Sequence, residues 1–166
     1  MDKRRTRRHR IPMRSLGPIR SLLVAMDLSE TSRRALTQAC ALVPKGGRLV
    51  LVHVEIEHPL PGGLYPTYQP GHRLTPEERT KQREHVRAEL ERLVPKECDA
   101  QRTVEIVDAP DVAKGLLAAA ARHDVDLVCL GTHGHGALVS ALLGSVASAV
   151  VAKSDRPVLL VPRQRG

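Results

Sequence analysis

The sequence predicts an α/β fold with an open, parallel, five-stranded sheet and helices on both faces. Five short apolar runs, rich in Val, Leu and Ile, are typical of strands buried on both sides. Segments with helical spacing of apolar residues separate them, which gives the order β-α-β-α-β-α-β-α-β. Such alternation is typical of parallel strands joined by right-handed crossovers. A chain of 166 residues can bury one core of this kind.

The first three predicted elements form a β-α-β unit. The apolar run Leu22–Met26 predicts the first strand. Residues 30–43 have apolar positions at helical spacing and predict the first helix, with Ser29 or Thr31 available as its N-cap. Arg48–Ile56 is nearly continuous in aliphatic residues and predicts the second strand.

The remaining elements follow a long irregular loop. Residues 57–74 are rich in proline and glycine and predict that loop. Thr75 then begins a capping box with Pro76 at the first helical position, and the apolar stripe of this second helix lies in its later turns. The charged residues between 81 and 92 mix signs and predict a solvated face. The other predicted elements are strands at 103–107, 125–130 and 157–162 and helices at 110–122 and 145–153.

The net charge of +8 is concentrated at the N-terminus. Residues 1–18 carry seven lysines and arginines against one aspartate, so six of the eight net charges belong to that segment. A basic tail binds polyanions weakly and with strong salt dependence, but a disordered start without a role is an equal alternative. Because the chain has no Trp or Phe and only Tyr65 and Tyr68, stacking platforms for bases are not expected.

The sequence also predicts a soluble, cytosolic protein with reduced cysteines. No apolar run follows the N-terminal arginines, and no segment approaches the length of a membrane span. Cys40, Cys98 and Cys129 are an odd number without metal-ligand spacing, and we expect buried, reduced thiols. His53 lies within a strand and is expected to be a structural histidine with a hydrogen-bond partner.

Residues 131–146, GTHGHGALVSALLGSV, raise the question of a phosphate-binding loop. A Walker motif needs Lys-Ser or Lys-Thr directly after its second glycine, but Ala137 and Leu138 follow Gly136. The dinucleotide fingerprint needs a third glycine where Val139 stands, and it follows the first strand rather than the fourth. Both motifs are therefore excluded.

The pattern that remains is Gly131-x-x-Gly134, nine residues, and then Gly144-Ser145 at a helix start. Glycines allow close approach of phosphate oxygens, and a helix N-terminus offers unpaired N–H groups and a favourable dipole. A tight turn followed by a helix cap is the alternative, and the physical argument leaves both open. Two imidazoles in this loop, His133 and His135, are interpreted as polar residues near phosphate rather than as metal ligands.

This glycine pattern resembles that of the ATP-binding branch of the universal stress protein family. The resemblance covers residues 19–162 and includes the Val-Ala-Met-Asp-Leu-Ser-Glu segment ending at Glu30, Leu-Val-His-Val ending at Val54, and Arg-Pro-Val-Leu-Leu-Val-Pro ending at Pro162. It implies a sheet of order 3-2-1-4-5 and one domain over 19–166, preceded by a flexible tail over 1–18. Asp108-Ala-Pro110 departs from the glycine that many relatives have before the third helix.

The resemblance further implies an ATP site, often with Mg²⁺ or Mn²⁺ among the phosphates. In that site the residues around Asp27 border the adenosine, the backbone of Val54 contacts the adenine, and the region of Gly131 lies near the ribose. The implied binding residues are Ala25, Met26, Asp27, Val54, Leu130, Gly131, Gly134, Gly144, Ser145 and Val146. The sheet order places Asp27 and Gly131 at the point where the strand order reverses, where open α/β sheets bind ligands.

Three functions follow from these patterns. The first is an ATP-binding regulatory protein with at most slow hydrolysis, because no nucleophile and base pair is visible beside Asp27. The second is an adenylating enzyme of the related adenine-nucleotide α-hydrolase group, although no substrate domain is evident. The third is a module that binds nucleic acid or another polyanion through residues 1–18. The apolar edge strand Val158–Val161 predicts a homodimer.

Overall fold

The computed structural model describes residues 17–56, 75–134 and 143–163. Within these ranges, strands and helices alternate as predicted. They are β1 Ser21–Ala25, α1 Glu30–Leu42, β2 Arg48–Ile56, α2 Pro76–Leu93, β3 Gln101–Ala109, α3 Val112–Arg122, β4 Leu127–Gly131, α4 Ser145–Lys153 and β5 Val158–Val161.

The five strands form one parallel sheet of order β3-β2-β1-β4-β5, which confirms the predicted fold class. From β1 the chain runs outward through β2 and β3, then returns to place β4 on the other side of β1. Leu22 of β1 is paired with Leu49 on one side and with Leu127 on the other. The strand order therefore reverses between β1 and β4, and their carboxyl ends meet at one edge of the sheet.

Two apolar layers cover the faces of the sheet. Successive side chains of a strand point to opposite faces, so Leu22 and Val24 pack with α1 and α2, whereas Leu23 packs with α3 and α4. All three are fully buried. Burial on both faces explains why β1 is a continuous apolar run rather than an alternating one.

Several predicted boundaries differ from the structure by one or two residues, and those of β3 and of the third helix have a clear physical reason. β3 extends beyond the predicted 103–107 because it is paired with β2 over its whole length, from Arg48 with Gln101 to Ile56 with Ala109. The third helix begins at Val112 rather than at residue 110, since Asp111 is its N-cap and accepts a hydrogen bond from Lys114 N at 2.9 Å. The first helix is capped by Ser29, one of the two alternatives.

The prediction of a solvated charged face on α2 was wrong at Arg83. Its guanidinium donates to Glu55 Oε2 from Nη2 at 2.8 Å and from Nε at 3.0 Å, and also to Asp108. These carboxylates lie on neighbouring strands, paired in register. Arg87 also reaches the sheet and donates to the carbonyl oxygen of Val104 at 2.5 Å. Charge alternation along α2 could not reveal acceptors supplied by other elements.

Some predictions fall outside the described residues. These are the tail over residues 1–16, the loop at 57–74, and His135 and Gly136 of the glycine segment. Among the helices that the structure describes, none has the length and apolarity needed to cross a membrane.

Candidate functional site

Asp27 lies immediately after β1 and is held by the turn that follows. Its Oδ1 accepts hydrogen bonds from Ser29 N at 3.0 Å and from Ser29 Oγ at 2.5 Å. Leu28 between them has a φ of 66°, the left-handed conformation that such a tight turn requires. Ser29 also caps α1 by accepting from Ser32 N at 3.2 Å. The carboxylate is thus fixed at the point where the strand order reverses.

Gly134, in the loop after β4, lies against this carboxylate. A Cβ atom on Gly134 would be 2.5 Å from Asp27 Oδ2, so any side chain there would force the loop or the carboxylate to shift. The close approach explains why a residue without Cβ is found there. The structure therefore brings Asp27 and Gly134 together, although 107 positions separate them along the chain.

Thr31, near the start of α1, connects that helix to the same loop. Its hydroxyl donates to the carbonyl oxygen of His133, and a Cβ on Gly131 would be 2.8 Å from Thr31 Cβ. Thr31 is 5% exposed, so these contacts are shielded from water. Sequence reasoning treated Thr31 only as an alternative cap and missed this role. Its position four residues after Asp27, at the carboxyl edge of β1, was the available signal.

The start of α4 lies beside the end of β4. Gly144 is its N-cap, and no described side chain bonds to the first turn. Gly144 N donates to the carbonyl oxygen of Thr132 at 2.7 Å, which holds the helix start against the loop. The next N–H groups, beginning with exposed Ser145, have no acceptor within the helix. With the helix dipole, they form an environment that favours anions.

Val54 supplies backbone groups at the opposite border of this edge. The carbonyl oxygen of Val52 accepts from Met26 N at 2.8 Å, so Val52 directs its backbone groups towards β1. The two-residue repeat of a strand gives Val54 the same direction, beyond Ala25, where β1 has ended. Its side chain packs on α3, where a Cβ on Gly115 would be 2.9 Å from Val54 Cγ1.

The other predicted binding residues differ in what they expose. Met26 and Leu130 are each 3% exposed and belong to the two opposite core layers, so only their backbones are available to a ligand. Ala25 and Val146 are half-buried, as is Gly131. All ten predicted residues lie on four segments: the end of β1, Val54 in β2, the end of β4 with its loop, and the start of α4.

The histidines near this edge have hydrogen-bond partners. His53 Nδ1 is 2.8 Å from the carbonyl oxygen of Met26, in agreement with its predicted structural role. His133 Nδ1 is 3.0 Å from Thr132 Oγ1. Among the described residues, no group of three or more His, Cys, Asp or Glu side chains could hold a metal ion. A role of His133 near phosphate stays a prediction.

This arrangement suits the binding of an anionic ligand that also carries hydrogen-bonding groups. A fixed carboxylate can accept hydrogen bonds from hydroxyl groups or coordinate a cation, and the start of α4 favours phosphate. The backbone edge at Val54, beyond the end of β1, can pair with a planar polar group. These three features surround one edge of the sheet.

Comparisons with known proteins agree with this fold. Residues 18–162 match the model of the universal stress protein family. A universal stress protein of Thermus aquaticus, described as lying in the 3' region of a QAH/OAS sulfhydrylase, is 37% identical over 145 residues. That alignment covers 86% of this chain and 98% of the relative.

Solved structures have the same architecture. The hypothetical protein MJ0577 superimposes with a TM-score of 0.69 at 25% identity, covering 90% of this chain and 100% of that protein. A universal stress protein from Archaeoglobus fulgidus, solved in complex with dAMP, superimposes with a TM-score of 0.56 at 21% identity, covering 87% of this chain and 99% of its own. The match to the family model over most of the chain shows that this protein belongs to the universal stress protein family.

Proposed function

We propose that this protein binds ATP between the ends of β1 and β4 and acts as a cytosolic, nucleotide-dependent regulator with at most slow hydrolysis. The observation that carries the proposal is the contact of Gly134 with the fixed Asp27 carboxylate, beside the start of α4, which no described side chain caps. The dAMP complex of the Archaeoglobus relative supports an adenine nucleotide as the ligand.

Each part of the nucleotide has a matching group in this proposal. The backbone of Val54 pairs with the adenine, on the strand edge that β1 leaves uncovered. The Asp27 carboxylate accepts hydrogen bonds from the ribose hydroxyl groups. Gly134, Gly144 and Ser145 surround the phosphates, and the N–H groups of the first turn of α4 donate to their oxygens.

A divalent cation at this site would need phosphate oxygens of the nucleotide among its ligands. The described residues provide no set of three protein ligands for a metal ion. Mg²⁺ is commonly held by one or two carboxylates together with substrate phosphates and water. We therefore propose that Mg²⁺ or Mn²⁺ enters with ATP, with Asp27 as the nearest carboxylate.

Thermal unfolding with ATP, ADP, AMP, cyclic AMP or buffer alone tests the proposal. A ligand at a hundredfold excess over its dissociation constant adds about 2.7 kcal/mol of stability. For a domain of this size that raises Tm by roughly 5–10 °C. The expected result is a shift with ATP that exceeds the shift with AMP. No shift with any of the four nucleotides would overturn the proposal.

Glycine variants add a matched control. Gly144→Val should abolish the shift, because a Cβ at this position would already lie 3.0 Å from the carbonyl oxygen of Thr132 and would displace the loop from the start of α4. In the control Gly17→Ala, the added Cβ meets no atom within 4 Å. That variant should keep the full ATP shift.

Two further properties belong to the proposal. The protein forms a homodimer through β5, an edge strand of the sheet.

Residues 1–18 form a tail, separate from the nucleotide domain over 19–166, that retains nucleic acid or other polyanions by charge. Deletion of residues 1–18 should abolish retention on DNA at low salt without changing the ATP shift. Unchanged retention would contradict the tail's role.

A further inference from the structure

Cys40 and Cys98 are brought together on the α1 and α2 face of the sheet, away from the carboxyl edge. Cys40 lies in the last turn of α1, and Cys98 in the turn between α2 and β3. Both line one open pocket of about 260 Å³, together with Thr37, Ala41, Pro95 and Glu97. The two side chains therefore face the same pocket, and both pack in the same apolar layer.

The expectation of three buried thiols was wrong for Cys40. Cys98 and Cys129 are buried, whereas Cys40 is partly exposed at the pocket. Helical spacing placed Cys40 on the apolar side of α1, but α1 nears its end there and the pocket opens beside it. One accessible thiol therefore lies next to a second, more protected thiol.

We propose that Cys40 and Cys98 form a reversible disulfide when the protein meets a peroxide, which links the end of α1 to the turn before β3. This modification site is independent of the proposed nucleotide site. It uses 2 of the 3 cysteines, and all 3 are free in the present structure.

The reaction with hydrogen peroxide takes place in two steps. The Cys40 thiolate attacks one peroxide oxygen and breaks the O–O bond, which leaves a sulfenic acid on Cys40; the other oxygen takes up a proton and leaves as water. Cys98 then loses its thiol proton and attacks the Cys40 sulfur, forming the S–S bond. The sulfenic hydroxyl leaves with that proton as a second water. Two thiols are oxidised, and one peroxide is reduced to two waters.

Accessibility determines the order of these steps. Cys98 is 4% exposed, so peroxide reaches Cys40 first through the pocket. Burial, and next the nearby Cys98 thiol, raise the pKa of Cys40 to about 12, while the charge of Arg102 lowers it. The thiolate is the reactive form, so the reaction is slow at neutral pH and speeds up about tenfold per pH unit below that pKa.

Cys129 is an internal control. It lies in β4, is fully buried, and its thiol donates to the carbonyl oxygen of Ala35 at 3.4 Å. Burial raises the pKa of Cys129 to about 12 as well. Cys129 and Cys40 have similar pKa values, but only Cys40 is partly exposed. A difference in their oxidation rates therefore reports access of peroxide and not the fraction of thiolate.

Intact mass and peptide mapping after treatment of the full chain with hydrogen peroxide test the proposal. The expected product has lost about 2 Da, one hydrogen from each of two thiols, contains a peptide linked between Cys40 and Cys98, and retains a free Cys129. Dithiothreitol should restore the starting mass, and the rate of formation should rise between about pH 7 and pH 9. Three free thiols after treatment at the higher pH, or a link through Cys129, would overturn it.

Two serine variants distinguish the partners. Cys98→Ser should leave a sulfenic acid on Cys40, which dimedone traps as a stable adduct. Cys40→Ser should give neither disulfide nor adduct, because the remaining thiols are buried. An equal adduct in both variants would contradict the assigned order. If either variant fails to fold, the peptide map of the unmodified sequence still decides whether the pair forms.

Discussion

Gly134 lies so close to Asp27 that a Cβ atom at position 134 would be 2.5 Å from the carboxylate oxygen Oδ2. The other oxygen of that carboxylate accepts two hydrogen bonds from Ser29, so Asp27 cannot turn away without losing them. The φ of Gly134 lies outside the left-handed region, so a residue with a side chain could adopt the same backbone conformation. Close approach, not backbone conformation, therefore explains this glycine.

Gly134→Ala should weaken ATP binding about tenfold, a loss of roughly 1.4 kcal/mol. The added methyl group must displace either the loop or the Asp27 carboxylate, and both belong to the proposed site. Titration calorimetry measures the change, with Gly17→Ala as the control that should bind as the unmodified protein does. Equal affinity in the two variants would contradict the assigned role of Gly134.

Thr31→Val should destabilise the fold by about 1 kcal/mol, because it removes a shielded hydrogen bond to the His133 carbonyl while keeping the shape of the side chain. Urea unfolding measures the effect. The matched control is Thr37→Val in the same helix, whose exposed hydroxyl donates only to the carbonyl of Arg33 at 3.2 Å. We also expect weaker ATP binding for Thr31→Val but not for Thr37→Val. If both variants lost the same amount of stability, the hydrogen bond from Thr31 to the loop would not be the cause.

The sequence allowed the order and type of every described element to be predicted, because buried parallel strands are continuous apolar runs and the helices have local caps. The capping box at Thr75 is an example: both of its hydrogen bonds form between residues three positions apart. The length of β3 could not be obtained in this way. Its ends are set by pairing with β2, a contact between segments about fifty residues apart.

The residues of the candidate site came from two kinds of sequence signal, and their role in binding stays a prediction. The glycine spacing led to Gly131, Gly134 and Gly144, and the family resemblance led to Asp27 and Val54. Thr31 was missed because its acceptor, the carbonyl of His133, lies 102 positions away in the sequence. The pocket that Cys40 and Cys98 share was missed for the same reason, since no local pattern reports proximity between distant segments.

Arg83→Gln should lower the free energy of unfolding by about 1 kcal/mol, because Arg83 connects α2 to the sheet. Arg83 bridges Glu55 and Asp108, so its loss leaves two neighbouring carboxylates without their shared cation. These contacts also raise the pKa of Arg83, as expected for a stabilised cation. Urea unfolding at low and high salt measures the effect, which should shrink as salt screens the charges. Arg79→Gln, an exposed change on the same helix, should alter little.

Asp126→Asn should remove part of the acid sensitivity of folding. Partial burial alone would raise the pKa of Asp126, but the N–H groups of Arg20 and Ser21 and the Ser21 hydroxyl donate to Oδ2 and lower the pKa below its ordinary value. Because the folded pKa is depressed, the stabilisation is present above the unfolded pKa and is lost as pH falls through the folded one.

Urea midpoints measured from neutral pH down to about pH 2.5 check this expectation, since the unfolded aspartate titrates near 3.9. At neutral pH the unmodified protein should have a higher urea midpoint than Asp126→Asn, and the difference between the two midpoints should shrink as pH falls. Asp99→Asn, at a more exposed ion pair with Lys45, is the control. A difference between the proteins that does not depend on pH would show that the carboxylate charge is not responsible.

Leu160→Pro should convert the proposed homodimer into a monomer. The carbonyl oxygen of Pro157 accepts from Val128 N in β4 at 3.0 Å, and that of Val161 accepts from Thr132 N just after β4 at 2.9 Å. The two-residue repeat therefore turns the backbone groups of Val158 and Leu160 towards the open edge of the sheet. Proline at position 160 removes an outward N–H group and leaves the ladder to β4 intact. Leu160→Ala, which loses the side chain but keeps that N–H group, is the control. Sedimentation velocity should show Leu160→Ala as a dimer and Leu160→Pro as a monomer; a dimer in both would show that the β5 edge is not the interface.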